Sequence, residues 1–130
     1  MDITLKTEKR NQMINITDDV QKIVTISNVK EGICIVYCPH TTAGVTINEN
    51  ADPDVVDDIL MGLNKIVDSD LPFKHSEGNS YAHIKSSLMG CEKTIMIEKG
   101  RLKLGVWQAC YFCEFDGPRD RKVYIKIISA

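Results

Sequence analysis

Short apolar runs at Ile3–Thr7 and Met13–Ile16, separated by the polar stretch Glu8-Lys9-Arg10-Asn11, predict two strands joined by a turn. The period then changes. Thr17 is placed as an N-cap, Asp18 and Asp19 sit at the positive end of a helix dipole, and Val20, Ile23 and Val24 form a stripe that ends before Glu31-Gly32. Ile33–Cys38 is apolar and β-branched throughout, which predicts a strand buried on both faces, and Gly44–Asn48 reads as a second strand. Asp52 and Pro53 open a helix as N-cap and first-turn proline. Within it Val56, Ile59, Leu60, Leu63 and Ile66 share one side, and Asp54, Asp57, Asp58 and Lys65 the other.

A loop from Asp68 to Gly78 leads to a shorter helix, Ser80–Leu88, with Tyr81, Ile84 and Leu88 as its expected core stripe and Gly90 as its end. Lys93–Glu98 is a strand, Lys99-Gly100 a hairpin turn, and Leu102–Phe115 a long strand bent at Gly105. Gly117-Pro118-Arg119-Asp120 is a turn before the last strand, Lys122–Ile128. Seven or eight strands with three helices, and no regular strand–helix alternation, predict an α+β fold with a largely antiparallel sheet or sandwich.

Length and composition narrow the picture. At 130 residues the chain fits one domain, residues 1–130, able to bury roughly two thirds of its unfolded surface. The net charge of −2 and the dispersed Lys and Arg residues argue against nucleic acid as a main partner. No apolar run approaches the ~20 residues that span a bilayer, and the N-terminus lacks a signal-peptide pattern, so a cytoplasmic, membrane-free protein is expected. Of five cysteines, Cys34, Cys38, Cys110 and Cys113 lie in apolar runs and read as small buried hydrophobes. Strand alternation sends the two thiols of Cys110-Tyr-Phe-Cys113 to opposite faces, against a zinc or redox pair.

The chemistry-bearing residues are confined. All three histidines fall in two polar, Gly-containing segments, Pro39–Gly44 and His75–His83. His40 follows a strand end, and Thr41, Thr42 and the amides up to Gly44 suit an anion-binding turn. His75, Glu77 and Asn79 share one side if their segment is extended, and His83 lies four residues beyond Asn79 on one helical face. Two or three imidazoles plus a carboxylate suit Zn²⁺ or a similar divalent ion, or a hydrogen-bonded core network. In the long strand Gln108, Cys110, Phe112, Glu114 and Asp116 share one parity, ending in two carboxylates beside Arg119. That arginine either clamps a phosphate or closes a salt bridge in a solvated turn. Asn48, Glu49 and Asp52 precede the second helix as cap residues or further polar ligands.

Four motifs, His40-Thr-Thr-Ala-Gly44, Asn48-Glu49-x-x-Asp52-Pro53, His75-x-Glu77-Gly78-Asn79-x-x-Ala82-His83-Ile-Lys85 and Glu114-x-Asp116-Gly117-Pro118-Arg119, resemble the YjbQ-like family. Gly100, Gly105, Trp107 and Gln108 fit its pattern as well. That family is sometimes named for a secondary thiamine-phosphate synthase activity. The resemblance implies a β-sandwich-like α+β protein that forms a homotrimer, with a polar pocket near a subunit interface. It implies a transferase-type reaction on a small phosphorylated substrate, with a divalent metal, Zn or Mg, at a His/Glu cluster. The metal candidates are His40, His75 and His83, which also serve as candidates for proton transfer. Glu49 or Glu77 is the candidate base or ligand. Arg119 and Lys85 are candidates for anion contact, and Thr41, Thr42, Asn79 and Gln108 for substrate binding. A non-catalytic metal- or ligand-binding homotrimer and a metal-dependent hydrolase are the alternatives.

Overall fold

In the computed structural model, which describes residues 1–130, the chain runs β1 (Asp2–Lys6), β2 (Gln12–Asn15), α1 (Thr17–Ser27), β3 (Glu31–Tyr37), β4 (Ala43–Glu49) and α2 (Pro53–Ile66). It continues with α3 (Ser80–Met89), β5 (Glu92–Glu98), β6 (Arg101–Leu102), β7 (Gln108–Glu114) and β8 (Asp120–Ser129). A five-stranded sheet has the order β1-β8-β3-β5-β6, a three-stranded sheet the order β2-β7-β4, and the pairings are antiparallel. The expected α+β architecture is what is found.

The alternation of β7 explains the layering. Cys110 and Phe112 join a core with Cys34, Val36, Val123 and Ile125 of the five-stranded sheet and Ile16, Val20 and Val24 at α1. Ala109, Tyr111, Cys113 and Phe115 point the other way, into a second core with Leu63 and Val67 at α2 and Tyr81 and Ala82 of α3. The three-stranded sheet is therefore the middle layer, buried on both faces. Cys110 and Cys113 fall in different cores, and burial pushes both thiols up to about 12, so neither is a reactive thiolate at neutral pH. All five cysteines are free.

Local chemistry explains most element boundaries. The Asp52 carboxylate accepts the Asp54 N–H at 2.9 Å, and Pro53 opens α2. Lys99 and Gly100, at φ 54° and 78°, make the β5–β6 hairpin turn with both central residues left-handed. Thr17 is the first residue of α1 rather than its cap, and its hydroxyl instead accepts the Cys110 N–H at 2.9 Å.

The structure departs from four further expectations. The long strand breaks into β6 and β7, because the Gln108 side chain folds back to accept the Gly105 N–H at 2.7 Å and closes a turn between them. β3 is buried on one face only: Cys34 and Val36 face the core, while Tyr37 is exposed on an uncovered sheet face. Ile66 of α2 is also exposed. Finally, α3 does not bury Ile84 and Leu88, which are 38% and 58% exposed; it buries Tyr81, Ala82, Lys85 and Ser86. Small residues decide that rotation. The Ser86 hydroxyl donates to the Ala43 carbonyl at 2.7 Å, so the helix lies close on β4.

Gly44 marks the closeness of that contact. A Cβ there would stand 2.7 Å from the Gly90 carbonyl oxygen and 3.0 Å from Met89 Cβ. Gly44→Ala is expected to destabilise by about 1–3 kcal/mol through overpacking, read from a lower urea midpoint at unchanged m-value. Wild-type stability in that variant would show that α3 is free to move away from β4.

Candidate functional site

The site is organised by a buried ion pair where β7 turns into β8. Glu114 and Arg121 are both buried, and the guanidinium reaches the carboxylate with Nε at 2.8 Å and Nη2 at 2.5 Å. The remaining capacity of the carboxylate is filled by the Thr7 hydroxyl and the Asp116 N–H, both at 2.9 Å. Burial pushes the Glu114 carboxyl up, but the Arg121, Asp116 and Thr7 hydrogen bonds outweigh it and hold it below the ordinary carboxylate range. Arg121 also donates to Thr42 Oγ1 at 2.8 Å. The Thr7 hydroxyl accepts the Arg119 N–H at 2.9 Å. Two loops, Cys38–Thr42 and Phe115–Arg119, are thereby pinned side by side.

A third segment completes the cleft. The expected extended stretch His75–Asn79 is instead a turn, in which Gly78, at φ 73°, donates its N–H to the His75 carbonyl at 3.1 Å. The turn sets the His75 and His83 rings edge-to-face with centroids 5.4 Å apart, and His75 Nε2 lies 3.9 Å from the Glu77 carboxylate. Asn79, the residue before α3, donates through Nδ2 to Asp116 at 2.8 Å. Its Oδ1 is buried without a partner, an acceptor left for a ligand donor. Asp116 also receives Arg119 Nη2 at 3.0 Å.

The result is a cleft of about 240 Å³ lined by Thr41, Thr42, His75, Glu77, Asn79, His83 and Arg119, with no apolar residue among them. Arg119 remains half exposed and half engaged by Asp116. Two imidazoles, a guanidinium and two hydroxyls offer donors for an oxyanion, while Glu77 is the single carboxylate lining the space.

Four expected site residues lie elsewhere. His40 packs edge-on against Phe112 at 6.5 Å, and its Nε2 accepts the Lys122 N–H at 3.0 Å. Burial and the Arg121 charge hold its pKa below the ordinary imidazole range, so the neutral ring with a lone pair on Nε2 is the form present at pH 7. Glu49 ends β4, where its carbonyl accepts the Tyr111 hydroxyl at 2.9 Å. Gln108 is committed to the Gly105 turn. Lys85 points to the other side of α3 and lines a separate cleft.

This distribution bears on a resident metal. With the His40 Nε2 lone pair taken, the chain brings His75, His83 and Glu77 together, yet no three His, Cys, Asp or Glu side chains close on a common point. A zinc site takes three or four such ligands, so the residues of one chain do not fit the ion. Arg121 was missed among the candidates, although it shares strand parity with the buried Val123 and Ile125.

An antiparallel α+β sandwich carrying a wholly polar cleft defines the class. The chain belongs to the family described as UPF0047 protein YjbQ-like, whose model matches residues 1–130. It is 52% identical over 124 residues to a UPF0047 protein of Methanocaldococcus jannaschii, covering 95% of this chain and 90% of the relative. It is 48% identical over 127 residues to UPF0047 protein YugU of Bacillus subtilis, covering 97% and 96%. The crystal structure of an uncharacterized conserved YjbQ/UPF0047 protein of Clostridium acetobutylicum superposes with a TM-score of 0.97 at 58% identity, covering 98% and 99%. A Sulfolobus solfataricus protein of unknown function gives 0.96 at 31% identity, covering 100% and 96%.

The Glu114–Arg121 pair makes stability pH-dependent. The folded pKa of Glu114 lies below its unfolded value, so its contribution is present above the unfolded pKa and is lost as pH falls through the folded one. Thermal melts between pH 7 and 3 are expected to show a shallower acid limb in Glu114→Gln than in wild type. Arg121→Met, which leaves a buried carboxylate unpaired, is expected to cost about 3–5 kcal/mol at pH 7. An unaltered acid limb, or a stable Arg121→Met, would show that the pair does not hold the loops.

Proposed function

We propose that the chain binds a small phosphorylated molecule in the Arg119–His75–His83 cleft and carries a low thiamine-phosphate synthase-type transferase activity there. The observation that carries the reading is the convergence of seven polar side chains, from three loops and from α3, on one small space. In that reaction the thiazole nitrogen displaces pyrophosphate from the methylene of an aminopyrimidine methyl pyrophosphate, forming a C–N bond as the C–O bond breaks. The leaving pyrophosphate gains negative charge, which Arg119 is positioned to neutralise through donors outside its Asp116 contact. His75 or His83 supplies a proton to the departing oxygen, and Glu77 lies 3.9 Å from His75 Nε2. The unpartnered Asn79 Oδ1 accepts an N–H from the pyrimidine amine. A divalent ion at this cleft needs donors beyond those of one chain, from a neighbouring copy or from substrate oxygens.

The reading places the protein in the cytoplasm as a homotrimer. Support for assembly is the uncovered face of the five-stranded sheet, where Met96, Ile33 and Ile128 are aligned across three strands and Met96 and Ile128 are exposed.

Arg119→Gln and His83→Ala are each expected to lower kcat/KM for thiamine phosphate formation by about 10²–10³ with the fold intact. Full turnover in both variants would remove the assignment. Stoichiometric binding of the phosphorylated substrates without turnover would favour a binding protein. Phosphate release without acceptor would favour a hydrolase. For the assembly, Met96→Asp is expected to shift a trimer to monomer in light scattering, and a wild-type monomer would refute it.

A further inference from the structure

We propose a second oxyanion site, on the opposite side of α3 from the histidine cleft, in which Lys85, Arg10 and the Tyr81 hydroxyl bind a phosphate-type group. The site rests on geometry separate from the cleft above. Asn79 and His83, four residues apart, share one side of α3. Tyr81 and Lys85, also four apart, occupy the other, because two residues along an α-helix turn a side chain by about 200°.

Lys85 is the anomaly. Its side chain is 2% exposed, yet it forms no ion pair with any carboxylate, and neither does Arg10. Buried charges are ordinarily paired. Here the ammonium donates to two neutral amide oxygens, Asn11 Oδ1 at 3.2 Å and Asn64 Oδ1, which leaves one of its three N–H groups without a partner. Both cations lie over the Tyr81 ring, with Arg10 Cζ 4.8 Å and Lys85 Nζ 5.5 Å from its centroid. Burial, and then the like charge of Arg10, holds the Lys85 pKa below its ordinary value.

A second and independent observation points to a ligand. Tyr81 is 5% exposed, and its hydroxyl is buried with no hydrogen-bond partner. Buried tyrosine hydroxyls are normally satisfied. The same residues line a cleft of about 230 Å³ that also presents Ser69, and no carboxylate lines it. Two cations, a free ammonium N–H and an orphaned hydroxyl around one small opening lack an anion. A tetrahedral oxyanion supplies charge and acceptors to all three, and Ser69 adds a further donor. The chemical class is a phosphate or a small phosphate ester.

The test is calorimetric titration of inorganic phosphate into the full chain at low ionic strength, carried out in an Arg119→Gln background so that the histidine cleft is silent. Saturable binding is expected there. Lys85→Met and Arg10→Gln are each expected to weaken it about tenfold or more, as for hydrogen bonds to charged groups. Tyr81→Phe should weaken it by roughly two- to tenfold while leaving the phosphate-free melting temperature equal or higher. His83→Ala should leave it unaltered. Absence of saturable binding in the Arg119→Gln protein overturns the site, as does binding that ignores both Arg10 and Tyr81. Those two variants alter an exposed side chain and a single hydroxyl, so they decide the matter even if Lys85→Met does not fold. Failure here leaves the histidine cleft untouched, because the two are measured in separate backgrounds.

Discussion

The Glu114–Arg121 ion pair fixes the parts of this molecule that carry chemistry. It joins the end of β7 to the start of β8 across a tight connection, and its hydrogen bonds extend to Thr42, Thr7 and the Asp116 amide. Through Thr7 it holds the Arg119 backbone, and through Asp116 it reaches Asn79 at the start of α3. Apolar residues of equal volume would fill the same space at similar or lower cost in stability. They could not donate to Thr42 or accept from Thr7, so the loops around the cleft would lose their common anchor. Gly117 shows how tight this junction is: a Cβ there would stand 2.3 Å from the Lys9 carbonyl oxygen.

Helix α3 divides the polar chemistry into two clefts. Its close approach to β4 is set by Ala82, Ser86 and Gly44, and that rotation turns His83 toward Arg119 while Lys85 faces Asn11 and Asn64. Had the helix buried Ile84 and Leu88, Lys85 would have been a solvated surface lysine. The burial of its ammonium without a counter-charge follows directly from placing small residues against the sheet.

Much of this fold was legible in local pattern. The Asp52-Pro53 cap, the Lys99-Gly100 turn and the alternation that separates Cys110 from Cys113 depend on near neighbours, and each is found. The misreadings have a common origin in contacts between distant segments. The helical stripe Tyr81–Ile84–Leu88 obeys the right period, but which face is buried depends on how closely β4 allows the helix to approach. Gln108 carries strand propensity around it, yet its side chain closes a turn that splits the strand. His40 stands next to Thr41 in sequence, but a backbone N–H eighty-two residues away takes its lone pair. The spacing of His75, Glu77 and Asn79 suggested an extended segment. Their convergence is achieved by a turn that needs the left-handed Gly78. Arg121 was readable in principle, since its parity matches Val123 and Ile125, but the strand was expected to begin one residue later.

The family is shared across archaeal and bacterial relatives, and the account of its chemistry in this chain rests on separating His75 and His83 from His40. Imidazole-detected NMR during titration with pyrophosphate tests that separation most directly. The His75 and His83 resonances are expected to move together and saturably, while those of His40 stay fixed by the Lys122 amide. Silence from all three rings, or a His40 response equal to the others, would contradict it.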